Sequence, residues 1–307
     1  MTAGAHAMKA MSFRGFLALQ ELARPLGCMR LRPLRKLARS AYRRLACDGS
    51  QSVRCAGLRW TIEPVADGYF SESLVIEGAH EPYETEFFLN WLRPGMTVVD
   101  IGAHVGWYAL QAARRVGPSG RVVAFEPEPK NRELLRRNIA VNAVANIEVV
   151  PLAVADRQGW MPLALDPSNA GAHWLRAGAE DGAASVAVEL TTLDAWCAGW
   201  VQPPDALKID VEGAELLIWQ GMRQMLAQSP RIRIMAEFYP DALRRAGTDP
   251  SALFEAFRAD GFTVQRLHGE SQRLLPTDYE ELLAVCASGD RHTNVFLTRQ
   301  PAIMGEP

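Results

Sequence analysis

The stretch VVDIGAHVGWYAL, residues 98–110, determines how the rest of the chain is interpreted. It begins with an apolar run, reaches an acid at Asp100, and turns through Gly102 and Gly106 into a helical pattern. Glycine permits backbone turns that a side chain would block, and a helix N-terminus offers N–H groups to a ligand. The stretch therefore predicts a strand, a tight turn and a helix at the ligand-binding edge of a parallel sheet.

Strand and helix patterns alternate from this stretch onward. The apolar strand candidates are 97–101, 121–126, 147–151, 206–210, 231–237, 262–267 and 292–298. The helix candidates are 106–116, 128–142, 213–228 and 251–260. Seven strands with helical crossovers predict an α/β fold, in which helices cover both faces of a mostly parallel sheet. The longest gap, 152–205, holds a Gly/Ala/Asp-rich insertion, which we expect to be an active-site loop.

The segments before this stretch predict smaller elements. Residues 58–76 show apolar alternation around an ADG turn, which predicts a small hairpin. The sequence YETEFFLNWLRPG predicts a short helix that ends at Pro94. We therefore predict three parts: a basic helical arm at 1–55, a strand-and-helix element on the substrate side at 56–95, and a ligand-binding domain at 96–300.

The composition is that of an ordinary soluble protein, with 48% hydrophobic and 22% charged residues in a chain of 307. No apolar run approaches the roughly 20 residues that cross a bilayer, and Arg14 and Glu21 interrupt the signal-like start. We expect a cytoplasmic protein, with a membrane-peripheral location as the alternative. The scattered cysteines predict neither a disulfide framework nor a zinc site: Cys28, Cys47, Cys55, Cys197 and Cys286.

The N-terminal arm is strongly basic. Residues 1–54 carry eleven Lys/Arg and two acids, a net charge of +9, which leaves −11 for the rest of a chain whose total is −2. Apolar residues at helical spacing lie between the arginines: Leu31, Leu34, Ala38, Ala41 and Leu45. Three interpretations are open: packing on the body or on a second subunit of a homodimer, contact with a membrane or an anionic glycan, and an organelle presequence.

The glycine spacing and the acid at position 100 discriminate between two cofactor classes. Dinucleotide binders use G-x-G-x-x-G, whereas this chain has His104 at the second glycine position and lacks the third glycine. Asp100 would repel a pyrophosphate but suits a ligand that carries an ammonium and a sulfonium. The pattern therefore favours S-adenosylmethionine over NAD, with a capping Asp before an ordinary turn as the alternative.

A second acid stands at the end of the next predicted strand. Glu126, in RVVAFEPEP, follows Asp100 by 26 residues. A carboxylate there can accept hydrogen bonds from both ribose hydroxyls. The alternative is a cap for the next helix, which begins near Pro127. The third strand closes near Ala153, whose backbone we expect over the adenine.

The fourth strand carries ionisable residues in ALKIDVEGAE. Lys208, Asp210 and Glu212 alternate and share a face, and such groups are costly in a buried strand unless they pair or serve a site. Glu237 ends the fifth strand, beside the fourth. Asp210 is our first candidate for a general base, with Glu237 and Glu212 as partners and Lys208 as anchor. A purely structural Lys–Asp pair is the alternative.

Two other catalytic arrangements are open but less favoured. Asp210 and Glu237 could hold a divalent metal ion such as Mg²⁺, because carboxylates suit that ion. His173, in the insertion, could act as the base. We predict no metal ligand beyond these.

Six motifs in this order, VVDIGAHVGWY, AFEPEP, PLAVADRQG, TTLDAW, LKIDVEGAE and MAEF, resemble the FkbM family of S-adenosylmethionine-dependent methyltransferases. The resemblance runs from about residue 83 to 238 and more weakly to about 299. It implies the class I methyltransferase fold, a Rossmann-like sheet of seven strands with a reversed last strand. It also implies O-methylation of a hydroxyl on a sugar, glycan or secondary metabolite, with S-adenosylhomocysteine as product.

The resemblance also implies roles for individual residues. The methionine end of the cofactor would be lined by residues of the glycine turn, the ribose would be held by Glu126, and Glu84 would cover the cofactor. His104 stands where the family more often has Asn. The full predicted cofactor set is Glu84, Asp100, Gly102, Ala103, His104, Gly106, Glu126, Pro127 and Ala153.

Other functions are alternatives to O-methylation. The acceptor could be an amine or a carboxyl group, or the protein could bind S-adenosylmethionine without catalysis. A nucleic-acid substrate is not expected, because the body is acidic and a motif of the N-P-P-Y type is absent.

Overall fold

The computed structural model describes residues 3–26, 31–166, 170–175, 184–268, 273–288 and 291–299. Cys28 and parts of the predicted insertion, at 167–169 and 176–183, lie outside the described residues. The chain forms two compact units. The first comprises Met1–Pro82, Arg136–Ala143 and Asp166–Gly171, and the second comprises Tyr83–Leu135, Val144–Leu165 and Ala172–Pro307.

The first unit contains helices and one hairpin. Its elements are α1 (Ala3–Ala23), α2 (Arg32–Leu45), β1 (Gln51–Cys55), β2 (Leu58–Ile62) and α3 (Gly68–Ile76). β1 and β2 pair antiparallel, and Ala56 and Gly57 join them with φ of 50° and 70°. Two consecutive residues with positive φ are what a tight hairpin turn of this hand requires.

The hairpin predicted within residues 58–76 was wrong. β2 pairs with the preceding strand β1, and the segment that follows is the helix α3. Phe70 and Leu74 are buried one helical turn apart, and Val75 is buried as well. The sequence therefore carries a helical period there, which the shorter alternation of Leu74 and Ile76 concealed.

The second unit is built on a sheet flanked by helices. Its elements, with α4 leading into it, are α4 (Pro82–Trp91), β3 (Thr97–Ile101), α5 (Trp107–Val116), β4 (Arg121–Phe125), α6 (Pro129–Val141), β5 (Ile147–Val150), β6 (Ala153–Val154), β7 (Gly159–Ala164), β8 (Trp174–Leu175), β9 (Ser185–Thr191), α7 (Leu193–Trp196), β10 (Ala206–Ile209), α8 (Glu215–Gln220), α9 (Arg223–Gln228), β11 (Arg233–Phe238), α10 (Pro240–Arg245), α11 (Pro250–Ala259), β12 (Thr263–His268), β13 (Arg273–Pro276), α12 (Tyr279–Ser288) and β14 (Thr293–Thr298). The second half of α6, from Arg136, belongs to the first unit.

The main sheet has the order β13-β12-β14-β11-β10-β3-β4-β5. The strands from β11 to β5 run parallel, and β14 runs antiparallel to β11. This is the class I methyltransferase arrangement with a reversed last strand, so the predicted fold class is confirmed. The described sheet has eight strands, however, and not seven. The addition is β13, a short and mostly exposed edge strand that lacks the continuous apolar run of a buried strand.

The insertion at 152–205 contains a second sheet where we expected only a loop. Four strands pair in the order β6-β9-β7-β8 around a small core of their own. The core side chains alternate along β7 and β9, as in Met161 and Leu163, and in Val188 and Leu190. The many Gly, Ala and Asp residues around these strands hid that two-residue period.

The helix predicted at 213–228 is divided into α8 and α9. The break falls at Gly221, where an added Cβ would lie 2.0 Å from the carbonyl oxygen of Ala155. The backbone packs too closely there for a side chain, and the apolar pattern on either side could not indicate this.

The central strands of the main sheet are buried on both faces. Val99, Val123 and Leu207 are fully buried in one apolar cluster, which also contains Trp219 and Phe257 from the covering helices. Burial on both faces explains why β3, β4 and β10 are mostly apolar, with Asp100 and Lys208 as buried charged exceptions. These rigid strands fix the positions of the side chains at their carboxyl ends.

The turn after β3 packs closely against the residues that follow β10. Gly102 has φ +82°, and an added Cβ would meet the carbonyl oxygen of Asp210 at 1.8 Å. Gly247 has nearly the same φ, +80°, but open space around it. We expect Gly247→Ala to cost about 1 kcal/mol of unfolding free energy, and Gly102→Ala about 2 kcal/mol more, because its neighbour is backbone.

Urea unfolding of both variants measures this difference. Equal losses of stability for the two substitutions would contradict the close contact between the turn and β10.

Candidate functional site

The sheet register brings the predicted site residues to one edge. Lys208 in β10 pairs with Asp100 in β3, and Ile209 pairs with Ala236 in β11. One step beyond, the Asp210 N–H donates to the carbonyl oxygen of Ile101 at 3.0 Å. Because parallel strands end on the same side, the acids that follow β3, β10 and β11 gather there.

Lys208 is a buried cation with fixed partners. Its side chain is 1% exposed, its Nζ donates to Asp210 Oδ2 at 2.8 Å, and Nζ lies 4.9 Å from the ring centroid of Tyr108. The Asp210 side chain is 36% exposed. The pair therefore combines a charge held inside the sheet with a carboxylate that a substrate can reach.

Asp100 is buried beside this pair. The residue is 2% exposed, and no described residue donates a hydrogen bond to its Oδ2. Burial raises the pKa of Asp100 to about 7, opposed by the charge of Lys208 and reinforced by that of Asp210. At neutral pH a cation placed against Oδ2 would therefore favour the ionised carboxylate.

Glu126 is held by two backbone donors. Its Oε2 accepts from the His104 N–H at 2.7 Å, and its Oε1 accepts from the Glu128 N–H at 2.9 Å. Burial raises the pKa of Glu126 to about 8. The helix-capping role considered for this acid belongs to Glu128, whose Oε2 accepts from the Asn131 N–H at 2.6 Å in the first turn of α6. Each Glu126 oxygen retains acceptor capacity for a ligand.

The loop between β3 and α5 is held mainly by its own backbone. The Gly102 and Ala103 N–H groups both donate to the carbonyl oxygen of Phe125 at 3.0 Å, and the Gly106 N–H donates to Ala103 at 2.8 Å. His104 has φ +52°, a region that Asn adopts more readily than most residues. That conformation gives a physical reason for the Asn expected at this position.

Gly106 packs closely against the core. An added Cβ there would meet the side chains of Leu110 and Leu135 at 2.5 Å. Core leucines fill the space beside the Gly106 α-carbon on that side, so the absence of a side chain permits this packing. Its φ of +96° also requires glycine.

Glu237 and Glu215 add two buried acids. Glu237 is 6% exposed and Glu215 is 1% exposed, and no described residue donates to the Oε2 of either. Burial raises the pKa of Glu237 well above its ordinary value, and Asp210, Glu212 and Glu215 raise it further. Burial likewise raises the pKa of Glu215 to about 7, although the Gly213 N–H donates to its Oε1 at 3.2 Å.

Glu212 follows β10 and has a left-handed backbone conformation. Its φ is +55°, and its Oε2 lies 3.7 Å from Nη2 of Arg245. The Arg245 guanidinium lies 4.3 Å from the ring centroid of Trp174 in β8. Arg245 therefore contacts both Trp174 of the second sheet and Glu212 of the acidic cluster.

The other predicted residues lie in several elements. Glu84 is half-buried in the first turn of α4, Ala153 is buried in β6, and His173 is half-buried beside β8. The Pro127 carbonyl oxygen accepts from Nη1 of Arg132 at 2.8 Å.

Sequence reasoning missed three partners of the site. His292 belongs to none of the predicted motifs, yet its Nε2 lies 3.8 Å from Oε1 of Glu237. Glu215 and Tyr108 also stand outside the predicted catalytic and cofactor sets. Only the second acid in VEGAE offered a signal for Glu215, because contacts between strands far apart in sequence decide the rest.

No group of three or more His, Cys, Asp or Glu side chains within the described ranges is arranged to hold a metal ion. No described helix combines the length and the apolar character needed to cross a membrane.

The model of the methyltransferase FkbM domain matches residues 100–264, more than half of the chain. The chain belongs to the FkbM methyltransferase family. It is accordingly an S-adenosylmethionine-dependent methyltransferase, as the glycine turn and the acid at Asp100 predicted.

Similar proteins are also methyltransferases. The FkbM-family chain is 28% identical over 177 residues to methyltransferase sdnD of Sordaria araneosa, covering 48% of this chain and 68% of that protein. It is 40% identical over 73 residues to ribosomal RNA large subunit methyltransferase E of Xanthomonas oryzae pv. oryzae. That match covers 22% of this chain and 34% of the other protein. A putative rRNA-methylase from Clostridium thermocellum superposes with TM-score 0.45 and 12% identity over 72% of this chain and 97% of the other.

The buried acids of this FkbM-family protein predict how its stability depends on pH. Glu215 has a folded-state pKa of about 7 against an ordinary 4.5. Its proton therefore stabilises the fold fully below about pH 4.5, and that contribution is lost as pH rises to about 7. We expect Glu215→Gln, which stays neutral, to gain on the order of 2 kcal/mol relative to the native chain between pH 5 and pH 8.

Urea unfolding of the cofactor-free protein at several pH values measures this gain. Glu189→Gln, at an exposed position of β9, is the matched control for the loss of one carboxylate. A Glu215→Gln difference that does not vary with pH would mean that Glu215 is already ionised in the folded protein.

Proposed function

We propose that this protein transfers the methyl group of S-adenosylmethionine to a hydroxyl on a sugar, glycan or secondary metabolite. The observation that carries the proposal is the reachable Asp210 carboxylate, anchored by the buried Lys208 among further acids. A hydroxyl acceptor must lose its proton as the new bond forms, and this cluster offers a base for that proton.

The residues at the sheet edge fit the cofactor. Asp100 presents a buried carboxylate oxygen to which no described residue donates, suited to the cationic methionine end. Glu126 is fixed by two backbone N–H groups and can accept from ribose hydroxyls. The residues that we propose to hold the cofactor are Glu84, Asp100, Gly102, Ala103, His104, Gly106, Glu126, Pro127 and Ala153. When bound, S-adenosylmethionine supplies an electrophilic methyl group.

Asp210 is the proposed general base. Its Oδ2 is bonded to Lys208, which fixes the carboxylate, while its exposure leaves room for an acceptor hydroxyl. The proton passes from that hydroxyl to Asp210 and then to solvent. Alignment of the acceptor by these fixed groups contributes a further share of the rate enhancement.

Glu237 has a different proposed role. Its raised pKa favours the neutral acid, and a neutral carboxyl can donate a hydrogen bond to an acceptor oxygen or to Asp210. Glu212 is the outer member of the cluster, because it lies beside Arg245.

The charge of the cluster favours some classes of acceptor over others. The carboxylates of Asp210 and Glu212 would repel a carboxylate acceptor and the phosphates of RNA. An amine is the second candidate, because the same acids would attract a protonated amine and could then remove its proton. A screen with sugar, lipid-linked glycan, polyketide, amine and RNA acceptors separates these classes by which product becomes methylated.

Asp210→Asn tests the base assignment. We expect kcat to fall by about 10²- to 10⁴-fold, because the amide cannot take the proton, while S-adenosylmethionine affinity stays nearly unchanged. The matched control is Asp241→Asn, whose side chain is 60% exposed on α10 and pairs with Arg244. Full turnover by Asp210→Asn on the acceptor found in the screen would refute the assignment.

A further inference from the structure

One side of α1 exposes apolar side chains along almost its whole length. Met8, Met11, Leu19, Leu22 and, just past the helix end, Leu26 are between 65% and 78% exposed. Within the helix, spacings of three and eight residues place Met8, Met11, Leu19 and Leu22 on one side, because a helix repeats every 3.6 residues. The other residues of 8–22 near that side are Ser12, Gly15 and Ala18, so no charged side chain interrupts the apolar stripe.

The opposite side of α1 already packs on its own unit. Phe13, Phe16 and Leu17 are buried, and the Phe13 ring centroid lies 5.6 Å from that of Tyr42 in α2. A helix on the surface of a soluble protein normally turns a polar face outward. An exposed apolar stripe of this length marks a surface that contacts something else.

The outward side of α2 adds positive charge. Lys36 and Arg44 are exposed, form no ion pair with another described residue, and flank Leu37, which is 67% exposed. By contrast, Arg39 and Arg43 both form ion pairs with Glu72, in which their Nε atoms lie 3.4 Å and 3.2 Å from the carboxylate oxygens. Lys36 and Arg44 are therefore available to an anionic partner.

Three kinds of occupant can be compared on these features. A second copy of the chain would bring another arm of charge +9 against the first. A polyanion would satisfy the charges but leave the stripe in water. An anionic bilayer takes up both, since its interior accepts apolar side chains and its headgroups attract Lys and Arg.

We propose that α1 lies in the surface of an anionic lipid bilayer, with the stripe of Met8, Met11, Leu19, Leu22 and Leu26 inserted and Lys36 and Arg44 on the headgroups. This goes beyond the methyltransferase function and does not depend on the acceptor.

Co-sedimentation of the full-length protein with vesicles tests the proposal. The probes are vesicles of phosphatidylcholine alone and of phosphatidylcholine mixed with phosphatidylglycerol. We expect binding to the anionic vesicles to be at least about tenfold tighter. Leu19→Gln with Leu22→Gln should weaken it by about tenfold or more, because two inserted side chains are lost. Lys36→Gln with Arg44→Gln should weaken binding to the anionic vesicles only.

Matched controls lie elsewhere on the surface. Val201→Gln removes an apolar side chain that is 99% exposed, and Arg223→Gln with Arg258→Gln removes two exposed charges. Both should bind vesicles like the native chain. All variants should keep their circular dichroism and their affinity for S-adenosylmethionine, so that loss of vesicle binding is separate from loss of the fold or of cofactor binding.

Three results would overturn the proposal. The native chain could fail to bind anionic vesicles. The leucine variant could bind them unchanged, which would leave only a polyanion site. Sedimentation velocity could show a dimer that the leucine substitutions dissociate, with no vesicle binding, which would assign the stripe to a second copy.

Discussion

The protein buries acids at the ends of adjacent strands around a single buried lysine. Lys208 bonds Asp210, and Asp210 in turn acts electrostatically on Asp100, Glu215 and Glu237. Burial opposes ionisation of these acids, and one cation cannot compensate them all. The apolar core formed by the rest of these strands offsets this cost. Such a cluster is characteristic of a functional site rather than of a stabilising one.

The same edge explains why the cofactor and the base lie so close together in the proposed mechanism. Gly102 allows the turn after β3 to approach the carbonyl oxygen of Asp210, and the loop continues to His104, whose N–H orients Glu126. Cofactor residues and catalytic residues are thus parts of one backbone network. The proposed tests therefore measure binding and turnover separately.

Much of the main sheet could be predicted from the sequence, because strands buried on both faces read as apolar runs of the right length. Features that depend on distant contacts could not. The exposed strand β13 has a weak pattern, and the helix break at Gly221 depends on the Ala155 carbonyl. In the site, Lys208 and Asp210 were expected to share a face, whereas His292 near Glu237 depends on the pairing of β14 with β11.

The central claim is that the buried Asp100 carboxylate binds the cationic end of S-adenosylmethionine. Burial holds the pKa of Asp100 at about 7. Titration calorimetry between pH 6 and pH 8 should therefore show affinity weakening as pH falls, approaching about tenfold per unit below pH 7. Asp100→Asn should bind weakly and lose the contribution of this group to the pH dependence. Equal affinity of the native chain and Asp100→Asn across this range, or saturable binding of NAD alone, would contradict the account.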